Sequence, residues 1–210
     1  MMTYKIKTID SIDAIDWNTI EKAYIDKYKW IENCITFDCY AQLVFVKDWG
    51  FVCRMHCDDT DPYATYENFY DPVYQDSCME LFVAFDNVHY MNFESNCKPA
   101  ILIGFGAERH NRIHADQVLS MDEMFKFSST VDEKGWTLTM NLPLEKLTRF
   151  YKDSISKDTF KKGYTFKGNF YKTGEKLPIE NGEHYGMWSE VMTEKPDFHR
   201  PEYFGELVID

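Results

Sequence analysis

Hydrophobic and polar residues alternate with a period of two along much of the chain. The clearest run sets Trp136, Leu138, Met140 and Leu142 against Thr137, Thr139 and Asn141. Successive side chains of an extended strand point to opposite faces, so such a run buries one face and leaves the other to solvent. Phe51, Cys53, Met55 and Cys57 alternate in the same way with Val52, Arg54 and His56. The turn Asp48-Trp49-Gly50 joins that run to the apolar stretch Ala41 to Val46, which predicts a β-hairpin. Leu81, Val83 and Phe85 alternate with Glu80, Phe82 and Ala84, and Tyr164 to Lys172 reads as a strand between polar loops at 154–163 and 173–183. Helical signals are few. Pro143 opens a segment with Leu144, Leu147 and Phe150 or Tyr151 at helical spacing, which predicts one short helix, and a second helical turn is expected over Asn18 to Ala23. The pattern predicts an all-β fold, an antiparallel β-sandwich of jelly-roll-like type with one or two short helices. Leu81, Val83, Leu138 and Met140 should lie inside it, and Thr137 and Thr139 outside.

Length and charge narrow the picture. A chain of 210 residues without a linker, repeat or low-complexity tract is expected to form a single domain over 1–210. Lys and Arg total 23 against 35 Asp and Glu, a formal net charge of −12. That balance repels phosphate backbones and anionic lipid surfaces, so neither nucleic acid nor membrane is expected as a partner. No stretch approaches the roughly 20 apolar residues that span a bilayer, and no apolar run follows the lysines of Met1 to Lys7. The expected location is cytoplasmic, with Cys34, Cys39, Cys53, Cys57, Cys78 and Cys97 reduced.

The chain is rich in rings, with 14 Tyr, 16 Phe and 5 Trp. Asp58 to Tyr74 mixes these rings with carboxylates and amides in a long loop, and long loops in compact domains often carry function. Flat rings cover the C–H face of a pyranose, while carboxylates, amides and guanidinium groups bond paired hydroxyls. Metal chemistry is less favoured. The thiols of Cys53 and Cys57 face away from the His56 imidazole on one strand, and His110 and His114 lack a helical face to share. Asp58, Asp59 and Asp61 offer oxygen ligands of the kind calcium takes, without the glycine and terminal glutamate of an EF-hand loop. No cofactor is expected, with calcium the minority reading. No Gly-x-Ser-x-Gly elbow, phosphate loop, dinucleotide fingerprint or His-Glu-x-x-His motif is present.

Two distant segments, Val73 to Val83 and Phe198 to Val208, join aromatic and polar residues to apolar strand-like runs. Together with Gly168-Asn-Phe-Tyr-Lys172 and Met187-Trp188, they resemble the signature of the family 9-like carbohydrate-binding modules, from about Thr3 to the C-terminus. The resemblance implies a β-sandwich that holds a mono- or oligosaccharide without cutting it. It implies that a sugar lies between two rings, here Tyr74, six residues before Glu80, and Phe198, six before Phe204. Tryptophan occupies both positions in the members most studied for sugar binding, so the rings here are smaller. The implied polar contacts are Glu80, Glu94, Asn96, Asn169 and Lys172, with Glu94 at a position where an arginine is found among those modules. Read from the residues alone, Tyr74 and Phe198 equally suit caps on the core, and Glu80 suits an ion pair with Arg200 or Arg112. Trp188 suits the core or its lip, and His199-Arg200-Pro201 suits a corner in which Arg200 neutralises a buried carboxylate. Two other functions stay open at this point. One is a glycoside hydrolase using Glu80 and Glu94; the other is a sandwich whose open face binds protein, which would need an exposed, flat apolar patch.

Overall fold

The computed structural model describes residues 2–180 and 182–210. Fourteen strands form one continuous sheet that curls until its two halves face each other. They are β1 (Thr3–Ile9), β2 (Ala23–Tyr24), β3 (Lys27–Tyr28), β4 (Cys39–Val46), β5 (Gly50–Cys57), β6 (Cys78–Ala84) and β7 (Tyr90–Asn96). These are followed by β8 (Ile101–Gly106), β9 (Ile113–His114), β10 (Lys126–Asp132), β11 (Gly135–Pro143), β12 (Thr165–Gly174), β13 (His184–Met187) and β14 (Gly205–Ile209). The order is β10-β11-β5-β4-β1-β14-β12-β6-β7-β8-β9, with β2, β3 and β13 as short branches.

The expected hairpin is β4–β5, with Leu43 opposite Cys53 and Ala41 opposite Met55. Its turn needs Gly50, whose φ of 142° lies where side chains are strained and whose Cβ would collide with the Leu142 carbonyl. Trp136, Leu138, Met140 and Leu142 of β11 are buried, while Thr137, Thr139 and Asn141 are half-exposed. They meet Leu81, Val83, Phe166 and Phe170 from the opposite half in one apolar core, along which the rings of Phe51 and Phe85 lie 4.9 Å apart. The helix α1 (Leu144–Tyr151) buries Leu144, Leu147, Phe150 and Tyr151 against that core. Such a stripe at three- and four-residue spacing is what docks a short helix on a sheet.

The structure departs from the expected fold in three respects. The sheet is mixed, because β1 pairs in parallel on both sides: Thr3 to Ile6 with β14, and Lys7 to Ile9 with β4. This single strand is the seam between the two halves. The second helical turn is a 3-10 turn at Trp17–Thr19, and Ala23 already belongs to β2. The strand β6 is also buried on both faces. Beneath its outer face lies a second apolar cluster of Phe82, Tyr90, Tyr171, Tyr185, Met187, Phe198 and Phe204, contributed largely by the chain after residue 184. Trp188 is in the main core, edge-on to Phe170 at 5.6 Å.

Candidate functional site

The outer face of the β12-β6-β7-β8 sheet forms the floor of a groove of about 550 Å³. Register sets its composition. Tyr171, Glu80, Glu94 and Leu102 stand abreast on four adjacent strands, and Asn169, Phe82, Asn92, Gly104 and His114 form the next row. Directly opposed residues on one face lie about 4.5–5.5 Å apart at Cβ, so Glu80 and Glu94 rise side by side from the floor. They do not face each other across a cleft, as the carboxyls that attack and protonate a glycosidic bond from two sides must.

Two walls enclose the floor. On one side the loop from Asp58 to Gln75 carries Tyr70 and Tyr74. That loop is fastened by Asp76, whose carboxylate accepts from the backbone N–H groups of Thr65 and Tyr66, the Thr65 hydroxyl and the Asn96 side-chain amide, all at 2.8–3.1 Å. The Tyr70 hydroxyl donates to the Ile103 carbonyl at 2.6 Å, and its ring stacks on His114 at 4.0 Å. Tyr70 holds a left-handed backbone with φ of 73°; strained residues of this kind concentrate at ligand sites. On the other side lie Tyr185 and the segment Pro196 to His199. The Phe198 ring stacks on Tyr171 with centroids 3.9 Å apart and is only 8% exposed. It closes the second apolar cluster and reaches the groove at its rim.

Arg112, on the loop between β8 and β9, lies across the floor. Its guanidinium donates to Asn92 Oδ1 at 2.6 and 3.1 Å and to the carbonyls of Tyr90, Gly104 and Glu108 at 3.0 Å. Glycine at 104 makes room for it, since a Cβ there would lie 2.8 Å from Asn92 Oδ1 and 3.0 Å from Arg112 Nε. The Asn92 amide in turn donates to Glu94 Oε1 at 2.9 Å. Burial pushes the Glu94 carboxyl up to about 7, against the Asn92 hydrogen bond and the Arg112 charge. Burial, and then the neighbouring Glu94 charge, hold Glu80 well above the ordinary carboxylate range. Among the described residues nothing donates a hydrogen bond to the Glu80 carboxylate, although the residue is 3% exposed.

Four of the residues singled out in the sequence, Tyr74, Glu80, Glu94 and Phe198, therefore line one groove. Three do not. Asn96 sits one row further along β7, where it donates to Asp76 and the Tyr66 carbonyl and accepts from the N–H groups of Lys98 and Ala100. Asn169 is on the outer face, but its amide clamps both backbone groups of Ser189 at 2.7 and 2.8 Å. Lys172 alternates with Tyr171 and so faces between the sheet halves. There its ammonium contacts His184 Nε2 at 2.8 Å, bonds the Thr173 carbonyl at 3.0 Å and lies 5.0 Å from the centre of the Phe37 ring. The pairing of Glu80 with Arg200 or Arg112 is not formed either. Arg200 is at the surface with Glu202 at 2.6 Å, so it neutralises no buried carboxylate, and Pro201 begins a 3-10 turn. Of the acidic trio, Asp58 and Asp59 accept from the Asp38 N–H and the Ser77 hydroxyl at 2.9 Å. No group of three or more potential metal ligands is present among the described residues.

The carbohydrate-binding family 9 model matches residues 10–209, almost the whole chain. The chain belongs to carbohydrate-binding family 9. This is a family of non-catalytic modules, in keeping with carboxylates that share one floor. Among solved structures, a candidate carbohydrate-binding protein from Bacteroides uniformis ATCC 8492 is similar over 99% of both chains, with 25% identity and a TM-score of 0.81. A family 9 module from Caldicellulosiruptor kristjanssonii in complex with glucose matches over 100% of this chain and 96% of its own, with 11% identity and a TM-score of 0.65. A structure of a family 9 module from the same organism with cellotriose covers 99% and 93%, with 12% identity and a TM-score of 0.61. No curated protein matches the chain.

Proposed function

We propose that this family 9 domain binds a mono- or oligosaccharide in the groove between Tyr74 and Phe198, with Glu80 and Glu94 bonding the sugar hydroxyls from below. The observation that carries the reading is that two rings far apart in sequence, Tyr74 and Phe198, line one groove whose floor holds two glutamates. A pyranose is amphipathic, with an apolar C–H face and a polar rim, and this groove offers rings at its walls and acceptors at its base. Tyr70, Tyr185, Asn92 and Arg112 extend the set. Asn96, Asn169 and Lys172 act by holding the Asp58–Gln75 loop, the Ser189 backbone and the core. A concave, partly polar groove favours a small glycan over a flat protein partner, and the acidic balance of the chain disfavours nucleic acid. Calorimetric titration with glucose, galactose and cellotriose, preceded by a glycan array to widen the panel, tests this. Saturable binding that Tyr74→Ala weakens supports the reading. Absence of binding to every glycan refutes it.

A further inference from the structure

The charges inside the groove do not balance. Four carboxylates line it, on Glu80, Glu94, Glu175 and Asp197, against the guanidinium groups of Arg109 and Arg112. Arg109 is paired with Asp197 at 2.7 Å. Arg112 is engaged by Asn92 and backbone carbonyls, so its charge offsets Glu94 alone and only from the side. Among the described residues no cation is bonded to Glu80 or Glu175. Glu80 is the sharper case: the residue is only 3% exposed, its carboxyl opens to the groove alone, and it accepts no hydrogen bond from the described residues, where a carboxylate so placed ordinarily accepts several.

Resting on the proposed sugar-binding reading, we infer that the groove selects an amine-bearing sugar, with the ligand's ammonium group seated over Glu80 and Glu94 between the Tyr74 and Phe198 rings. An ammonium carries three N–H donors and no acceptor, so one group can bond both glutamates and still direct a proton toward Glu175 or water. A hydroxyl at the same place has one donor and brings a lone pair against a carboxylate. The ring walls add to the preference, since aromatic faces attract a cation. Hydrogen bonds to charged partners are roughly twice as strong as those between neutral groups, so once the glutamates are ionised the amine should bind roughly tenfold tighter than the matching hydroxyl compound.

The titratable and charged groups that act on the pair are Tyr171, Lys172 and Glu175 from β12 and its extension, Arg109 and Arg112 from the loop before β9, Tyr70 and Tyr74 from the long loop, and Tyr185 from β13; Lys172 and Arg109 act at a distance and bond neither glutamate. An arriving ammonium lowers the proton affinity of both glutamates, so binding near pH 7 releases protons. The affinity is bell-shaped in pH, falling in acid as the glutamates protonate and in base as the amine deprotonates.

The test is calorimetric titration of the wild-type protein between pH 7 and 7.5 and at low salt, where the amine is still largely cationic and Glu94 is at least half ionised. The matched pairs are glucosamine and glucose, galactosamine and galactose, and a glucosamine trisaccharide and cellotriose, with 2-aminoethanol as a sugar-free amine. The expected result is an amine advantage of about tenfold in at least one pair, heats that depend on the buffer's ionisation enthalpy, and loss of the advantage on N-acetylation or in Glu80→Gln. Binding of neutral sugars with no gain for their amines overturns this inference and leaves the sugar reading intact. Binding of 2-aminoethanol as tight as that of glucosamine overturns the role of the sugar ring. No binding by any member of the three pairs overturns both.

Discussion

Replacing Glu94 with glutamine should stabilise the ligand-free protein, by an amount that is small near pH 4.5 and grows to full size by about pH 7. The structure sets the sign. Glu94 is 4% exposed and its carboxyl is pushed from the ordinary 4.5 up to about 7. The folded state therefore holds a proton that the unfolded chain has released, and between those two values stability falls as pH rises. Below the lower value the carboxyl is protonated in both states and the effect vanishes. Each pH unit in that window costs about 1.4 kcal/mol, so folded wild-type protein at pH 8 should carry a burden of about 3 kcal/mol from this group. Glutamine removes the ionisation and keeps an oxygen to accept from the Asn92 amide, which donates to Glu94 Oε1 at 2.9 Å. Relief of Glu80, which the Glu94 charge also disfavours, acts in the same direction. Urea unfolding followed by tryptophan fluorescence at pH 4.5 and pH 8 measures this. The difference between wild type and Glu94→Gln should be small at the first pH and about 3 kcal/mol in favour of the variant at the second. A difference that does not change with pH, or a variant less stable at pH 8, would refute the reasoning.

The two walls of the groove should answer differently to truncation. Tyr74→Ala, at a half-exposed ring, should leave the unfolding midpoint nearly unchanged while weakening sugar binding by about 1–3 kcal/mol, by analogy with stacking of bases on aromatic side chains. Phe198→Ala, which strips a buried ring from its stack on Tyr171, should also cost about 3–5 kcal/mol of stability, seen in the same urea titration. His184 and His199 are both lowered to about 3, first by burial and then by neighbouring cations. A base depressed in the folded state contributes stability that is complete above about 6.5 and lost as pH falls toward 3, so acid unfolding should be shallower in His184→Gln than in wild type. Finally, the six cysteines are free thiols in the structure. All six should react with a thiol reagent after unfolding without reductant, and fewer would reveal a bridge.

What the sequence makes legible follows the range of the interactions involved. Local alternation suffices for β11, where Leu138 and Met140 are core and Thr137 and Thr139 are not, and a local turn suffices for the β4–β5 hairpin. The same alternation misleads for β6. Phe82 and Ala84 occupy what reads as a solvent face, yet the chain after residue 184 folds back over them, and no local signal reports that cover. The parallel pairing of β1 is equally silent, since its partners lie near residues 44 and 206. For the site, motif matching brings Tyr74, Glu80, Glu94 and Phe198 to one groove. Strand parity qualifies the rest: Asn169 and Lys172 are three apart on one strand and cannot share a face. Parity also marks Asn92, two residues before Glu94, as a floor residue that the motif leaves out. Arg112 and Tyr70 reach the groove from irregular loops and have no periodic signature.

The strand β1 bears on how the protein comes to fold. Its first half is held by β14 at the far end of the chain and its second half by β4, so the join between the sheet halves closes only once the residues up to Ile209 are available. Pairings separated by most of a chain's length carry the largest loop-closure entropy and are slow to form. Until then, the exposed edges of β1 and β12, the two neighbours of β14, are templates for another chain. During synthesis the β4–β5–β11 portion can therefore assemble before the groove, because the β12–β14 pairing and the Phe198 wall both depend on residues that follow it in the chain, at 198–209. Binding competence would then appear late and all at once, and a chain shortened by its final strand would be lost to aggregation rather than left as a weaker binder.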